Sequence, residues 1–196
     1  MAGFKTKVTP EIEKLTDICR DNTSLDLSLY AKYDVKRGLR DINGKGVLAG
    51  LTDISEVCSS KIVDGKTVPC EGQLFYRGIN VKNLVNGFIK DNRFGFEETV
   101  YLLLFGYLPN KSQLDEFTTM LGEFRTLPTN FTRDVLMKSP NNDMMNMLAR
   151  SVLTLYSYDE NPNDTSIPNV LRQCLELIAL FPVISVYGYQ TFSHYK

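Results

Sequence analysis

The chain has 196 residues, 43% of them hydrophobic, and 22 basic against 23 acidic side chains give a net charge of -1. This is enough apolar material for one substantial core, and the even charge excludes the long-range positive field that draws proteins to nucleic acid or anionic membranes. The stretch from Met1 to Lys14 mixes Lys and Glu without the apolar run of a signal peptide, and the apolar segments elsewhere read as too short to span a bilayer, so a cytoplasmic protein with no membrane or nucleic-acid partner is expected.

In chain order, Ile12, Leu15, Ile18 and Cys19 recur at helical spacing and predict a helix from about Thr9 to Arg20. Leu25, Leu27 and Leu29 alternate with polar residues, which predicts an extended or irregular lead-in to the solvated basic run Lys36 to Arg40. Residues 1–45 are thus read as a helix and irregular lead-in, and 46–196 as one partial domain. A hairpin is expected over Val47 to Tyr76, turning at Asp64-Gly65 because both residues tolerate positive φ.

Helical spacing resumes with Val81, Leu84, Val85 and Phe88, and then with Glu97 to Tyr107, a helix apolar on most sides and stopped by Gly106 and Pro109. Ser112-Gln113-Leu114-Asp115 reads as a capping box before the stripe Leu114, Phe117, Leu121 and Phe124. A short helix is expected at Arg133 to Lys138. Asp143 is expected to cap a helix whose inner face is Met144, Met147, Leu148, Val152 and Leu155. After a polar loop at Asp159 to Pro168, an apolar helix begins near Ile167 and either kinks at Pro182 or breaks there in two.

Cys19, Cys58, Cys70 and Cys174 form no C-x-x-C pair and are expected to be reduced thiols, not zinc ligands. The acceptor-like triplets starting at Asn22, Asn110, Asn130 and Asn163 are read as turns and caps. Asn43-Gly44-Lys45-Gly46 has the wrong spacing for a phosphate loop and is read as a turn, Met144 to Met147 as filling of core gaps or interfaces, and Arg77 as the partner in an ion pair at the surface or core edge.

Four motifs in order carry a resemblance to one family. Ala49-Gly50-Leu51-Thr52-Asp53-Ile54-Ser55 with Leu74-Phe75-Tyr76-Arg77-Gly78-Ile79, then Phe96 to Pro109, then Met144 to Leu155, then Leu177 to Tyr187, together resemble the amino-terminal half of citrate synthase. Asn142-Asp143-Met144 stands where the family usually has His-Pro-Met. The resemblance implies a mainly α-helical large-domain fold with a small β-hairpin near residues 47–76. It also implies a homodimer through helices near 144–157 and 167–190, and a parent acyltransferase of the tricarboxylic acid cycle that joins acetyl-CoA to oxaloacetate. The rival within the family is 2-methylcitrate synthase, which uses propionyl-CoA; the rival outside it is a non-catalytic helical interaction module.

In the family an Asp and two His move protons and polarise the ketone, and arginines clamp the substrate carboxylates. Removing a proton beside a thioester requires a positioned base and a donor to the developing enolate. Here there is one histidine, His194, in no motif of the family, and it is read as solvent-exposed. No catalytic, cofactor-binding or metal-binding residue is therefore assigned. The family's catalytic residues are expected beyond Lys196, and the chain is expected to be an inactive fragment with no cofactor of its own.

Overall fold

The computed structural model describes residues 4–36, 40 and 47–195. Arg37 to Leu39 of the basic run and the Asn43 to Gly46 turn lie outside these residues. Among the described residues, seven α-helices and a three-stranded antiparallel sheet follow in the order α1 (Pro10–Asn22), α2 (Ser28–Lys32), β1 (Ser55–Val63), β2 (Lys66–Tyr76), β3 (Ile79–Asn80), α3 (Val81–Lys90), α4 (Phe96–Phe105), α5 (Lys111–Phe124), α6 (Met144–Leu155) and α7 (Ile167–Tyr195). The architecture is mainly α. The chain divides into two compact units, Met1–Asp17 with Asp115–Lys196, and Ile18–Leu114.

In the Ile18–Leu114 unit two tight turns build the sheet. Asp64-Gly65 (φ 50° and 73°) joins β1 to β2, and Arg77-Gly78 (φ 47° and 78°) joins β2 to β3, both with the left-handed pair that suits the twist of a two-residue hairpin. Residues 47–54 are irregular, which corrects the expected start of the hairpin at Val47. There Ile54 donates its backbone N–H to Thr52 Oγ1 instead of to a neighbouring strand. The alternating leucines likewise mislead about the lead-in, since α2 forms where Asp26 Oδ1 accepts from the Ser28 amide at 2.9 Å and starts a turn.

Helix α4 buries Tyr101, Leu102 and Phe105 and ends at Gly106, whose φ of 86° is open to glycine and strained for other residues. Asn110, not Ser112, caps α5: its Oδ1 accepts from the Gln113 amide at 3.0 Å, and Gln113 Oε1 accepts from the Asn110 amide at 2.9 Å. The reciprocal box therefore starts two residues earlier than expected, because Gln reaches back where Asp115 is too short.

In the other unit Asp143 caps α6 by accepting the Asn146 amide at 2.9 Å, as expected. The anticipated helix at Arg133 to Lys138 is one π-type turn, Thr132–Leu136. The core joins Phe131, Leu136, Met147, Leu155, Leu180 and Ile184, with Phe4, Leu127 and Leu177 against them. Gly188 on α7 lies where a Cβ would come within 2.2 Å of Met147 Cε, so the two helices cross closely there.

Helix α7 is continuous through Pro182. At 29 residues it is long and apolar enough to cross a bilayer, contrary to the expectation of segments too short for this; 39% of its most apolar window is buried inside the protein. Proline at this point removes one hydrogen bond without ending the helix.

Candidate functional site

The polar chemistry of the Asp115–Lys196 unit centres on Arg172, a guanidinium on helix α7. It is fully buried. Its Nη2 donates to Asp159 Oδ2 at 2.5 Å, Nη1 to Glu176 Oε2 at 3.1 Å and to the Lys5 carbonyl at 3.0 Å, and Nε to Asn169 Oδ1 at 3.0 Å. Gln173 donates to the same Asp159 oxygen at 3.0 Å. Burial opposes the charge on Asp159, but the hydrogen bonds from Gln173 and Arg172 outweigh it and hold the carboxyl below its ordinary range.

One guanidinium thus faces two carboxylates, and Asp159 neutralises it. Burial is the main influence on Glu176; Arg172 works against it and the Asp159 charge adds to it, so that Glu176 is pushed up to about 7. Its Oε1 is buried without a hydrogen-bond partner. The cluster holds the Asp159 loop and the segment at Lys5 to α7, which is a scaffolding arrangement. The sequence reading missed it, although the signal was present as Arg172 and Glu176 four residues apart on an apolar face.

A cleft of about 480 Å³ opens between the segment 125–133 and α7, with Arg125, Arg133 and Tyr187 on its wall. Arg133 is committed to Asp134 through paired bonds of 2.9 Å from Nε and Nη2.

In the Ile18–Leu114 unit, Arg77 forms the core-edge ion pair that its sequence context favours. Its buried guanidinium lies 2.8 Å from Asp53 Oδ1, and Nη2 donates to the Leu103 carbonyl at 3.0 Å. That carbonyl belongs to the last turn of α4 and has no partner within the helix, so the cation satisfies the helix end and complements its dipole. Tyr101 and Tyr107 share a hydrogen bond of 3.0 Å between their hydroxyls, to which Gln113 Nε2 adds a donor at 3.2 Å.

The remaining residues singled out in the sequence are dispersed. His194 sits exposed in the last turn of α7, edge-on to Tyr195 at 5.2 Å. Met147 fills the core while Met145 is exposed. Asn22 donates to the Ile18 carbonyl, Asn130 takes a left-handed turn conformation with φ 64°, and Asn163 accepts from Tyr156. All four cysteines are thiols. Among the described residues no His, Cys, Asp and Glu converge in a group of three.

This geometry ties the Asp159 loop and the Lys5 segment to α7 and holds charges in pairs. Comparison supplies what the site does not. The chain spans about a quarter to a third of the length of the curated relatives it matches. A citrate synthase of Saccharolobus solfataricus is 31% identical over 109 residues, covering 55% of this chain and 26% of that protein. The 2-methylcitrate synthase 1 of Corynebacterium glutamicum is 28% identical over 151 residues, covering 76% and 34%.

Among solved structures, citrate synthase from Pyrobaculum aerophilum superposes with a TM-score of 0.59 at 25% identity, covering 82% of this chain and 40% of that one. Citrate synthase from Thermoplasma acidophilum, solved as a ternary complex with carboxymethyl coenzyme A and oxaloacetate, gives 0.61 at 18% identity over 82% and 36%, a likeness of fold. The family model described as citrate synthase, C-terminal domain, matches residues 39–196. With four fifths of its length inside that match, the chain belongs to the citrate synthase family.

Proposed function

We propose that this chain is the helical scaffold, from the amino-terminal half, of a cytoplasmic enzyme that condenses acetyl-CoA with oxaloacetate and water to give citrate and CoA. The observation that carries the reading is the family match over residues 39–196. The condensation needs a carboxylate base for the methyl proton, a donor to the enolate oxygen and another to the ketone. With one histidine, exposed at the end of α7, the chain is assigned none of these roles, and the acid–base groups are placed in the remainder of the enzyme.

The scaffold role includes association. Helices α6 and α7 carry Met145, Leu153, Val186 and Tyr189 exposed, which supports a homodimer formed through these two helices. The relatives named for 2-methylcitrate synthesis support a second substrate, propionyl-CoA, for the same chemistry. The test is CoA release by the full protein that contains this chain, given oxaloacetate and each thioester in turn. Oxaloacetate-dependent release that is faster with acetyl-CoA is expected. Faster release with propionyl-CoA would reassign the substrate, and no release with either would overturn the proposal.

A further inference from the structure

Strand β1 lies at the edge of its sheet, and among the described residues no strand pairs with its outer side. All its side chains are exposed except half-buried Cys58. Which of its backbone groups face outward follows from its two ends. Asp64 and Gly65, both with positive φ, close the hairpin on Val63 and Lys66, and such a turn makes its flanking residues a hydrogen-bonded pair. Val63 and Lys61 therefore aim N–H and C=O at β2, while Ile62 and Ser60 aim theirs away. Pro69 fits this, since it has no N–H to give and stands opposite Ser60. At the other end the Arg77 amide donates to the Ile54 carbonyl at 2.9 Å, which makes Ser55 and Tyr76 a non-hydrogen-bonded pair. Ser55 and Val57 thus face outward. The phase changes between Cys58 and Ser60, where the register shifts.

We propose that β1 is an interaction edge that pairs with β1 of a second copy of this chain, antiparallel about a twofold axis between Cys58 and Ser59. This register sets outward Ser55 opposite outward Ile62, and Val57 opposite Ser60, so the free donors and acceptors of each copy meet those of the other. A regularly alternating strand cannot take it, because its residues an odd number apart face opposite ways. The three-residue step from Val57 to Ser60 supplies the fit. The same register places Glu56 opposite Lys61 of the second copy, and Lys61 opposite its Glu56, at non-hydrogen-bonded positions where side chains lie closest. Both are exposed, and among the described residues neither takes part in an ion pair within the chain. These two symmetric pairs of opposite charge select a second copy as the occupant of the edge. The Ser60 carbonyl accepts a weak bond of 3.4 Å from Cys58 Sγ and keeps a second lone pair for the partner strand. The pairing uses β1 alone and rests on neither the α6–α7 association nor the catalytic proposal.

The experiment treats the purified chain at high micromolar concentration with a carbodiimide, which condenses a carboxylate with an amine in contact with it, and sequences the linked tryptic peptides by mass spectrometry. Glu56 and Lys61 of one copy are about 17 Å apart on an extended strand, so a link between these positions joins two copies. The exposed Glu71–Lys82 pair, at 2.8 Å, is the internal control. The expected result is a covalent dimer joined from Glu56 to Lys61. Ser60→Pro removes an outward N–H without touching the β1–β2 ladder, and should lose that link with the control link intact. Glu56→Lys combined with Lys61→Glu keeps opposite charges facing and should retain a link at the same two positions. The control link without the Glu56–Lys61 link, survival of the latter in Ser60→Pro, or its loss in the charge-exchanged chain would overturn the proposal.

Discussion

Glu176 is a buried carboxyl that competes with Asp159 for one guanidinium, and the consequence is a pH-dependent stability. Its folded value of about 7 lies above the ordinary 4.5. The folded state therefore binds the extra proton between these values, and the stability it contributes is full below about pH 4.5 and is lost as pH rises through 7. Replacing Glu176 with Gln keeps an oxygen for Arg172 and removes the titration. Urea unfolding across this range should show a flatter profile for Glu176→Gln and a gain of roughly 1–3 kcal/mol above pH 7. Parallel profiles for the two proteins would refute the burial argument. The composition of α7 concealed this site, because the apolar residues around Arg172 announce a core helix and give no sign of which loop delivers its carboxylate.

At the scale of elements, periodicity and caps were legible where one residue type does the work. Helix α6 runs over Met144–Leu155 as its apolar stripe indicates, because Asp143 is an acceptor placed just before it. The hairpin turn at Asp64-Gly65 was legible for the same reason. The stretch from Val47 to Ile54 was not, since its apolar residues have strand character yet none of them lies in a strand, and pairing is a tertiary property that local pattern does not carry. Arg77 shows how such a segment is held: its backbone N–H bonds to the Ile54 carbonyl at 2.9 Å while its side chain spans from Asp53 to the end of α4. Arg77→Ala should destabilise the chain by roughly 2 kcal/mol in chemical denaturation, since it strips a charged donor from a helix-end carbonyl. Arg77→Lys should recover only part of this, because an ammonium lacks the fork that serves both partners. A loss under about half a kcal/mol in Arg77→Ala would assign the pairing to the weak surface class.

For the whole molecule, the family was legible from four motifs in order, whereas association and catalysis depend on surfaces and residues that sequence pattern does not position. Val186 is 57% exposed, so an Arg there costs the isolated chain little. In a dimer built on α6 and α7 the same Arg would be buried unpaired. At roughly 25 cal/mol per Å² of apolar surface, a few hundred Å² buried favours association by several kcal/mol before the entropy of docking is subtracted. Light scattering should therefore show an assembly for the parent chain and a shift toward monomer for Val186→Arg with an unchanged melt; a clean monomer of the parent chain at high micromolar concentration would count against the interface. The central claim, that this chain is scaffold and the proton-transfer groups belong to the rest of the enzyme, is tested most directly by following CoA release from acetyl-CoA and oxaloacetate with residues 1–196 alone. No release above background is predicted, and turnover at even about a thousandth of an ordinary enzyme rate of roughly ten per second would contradict it.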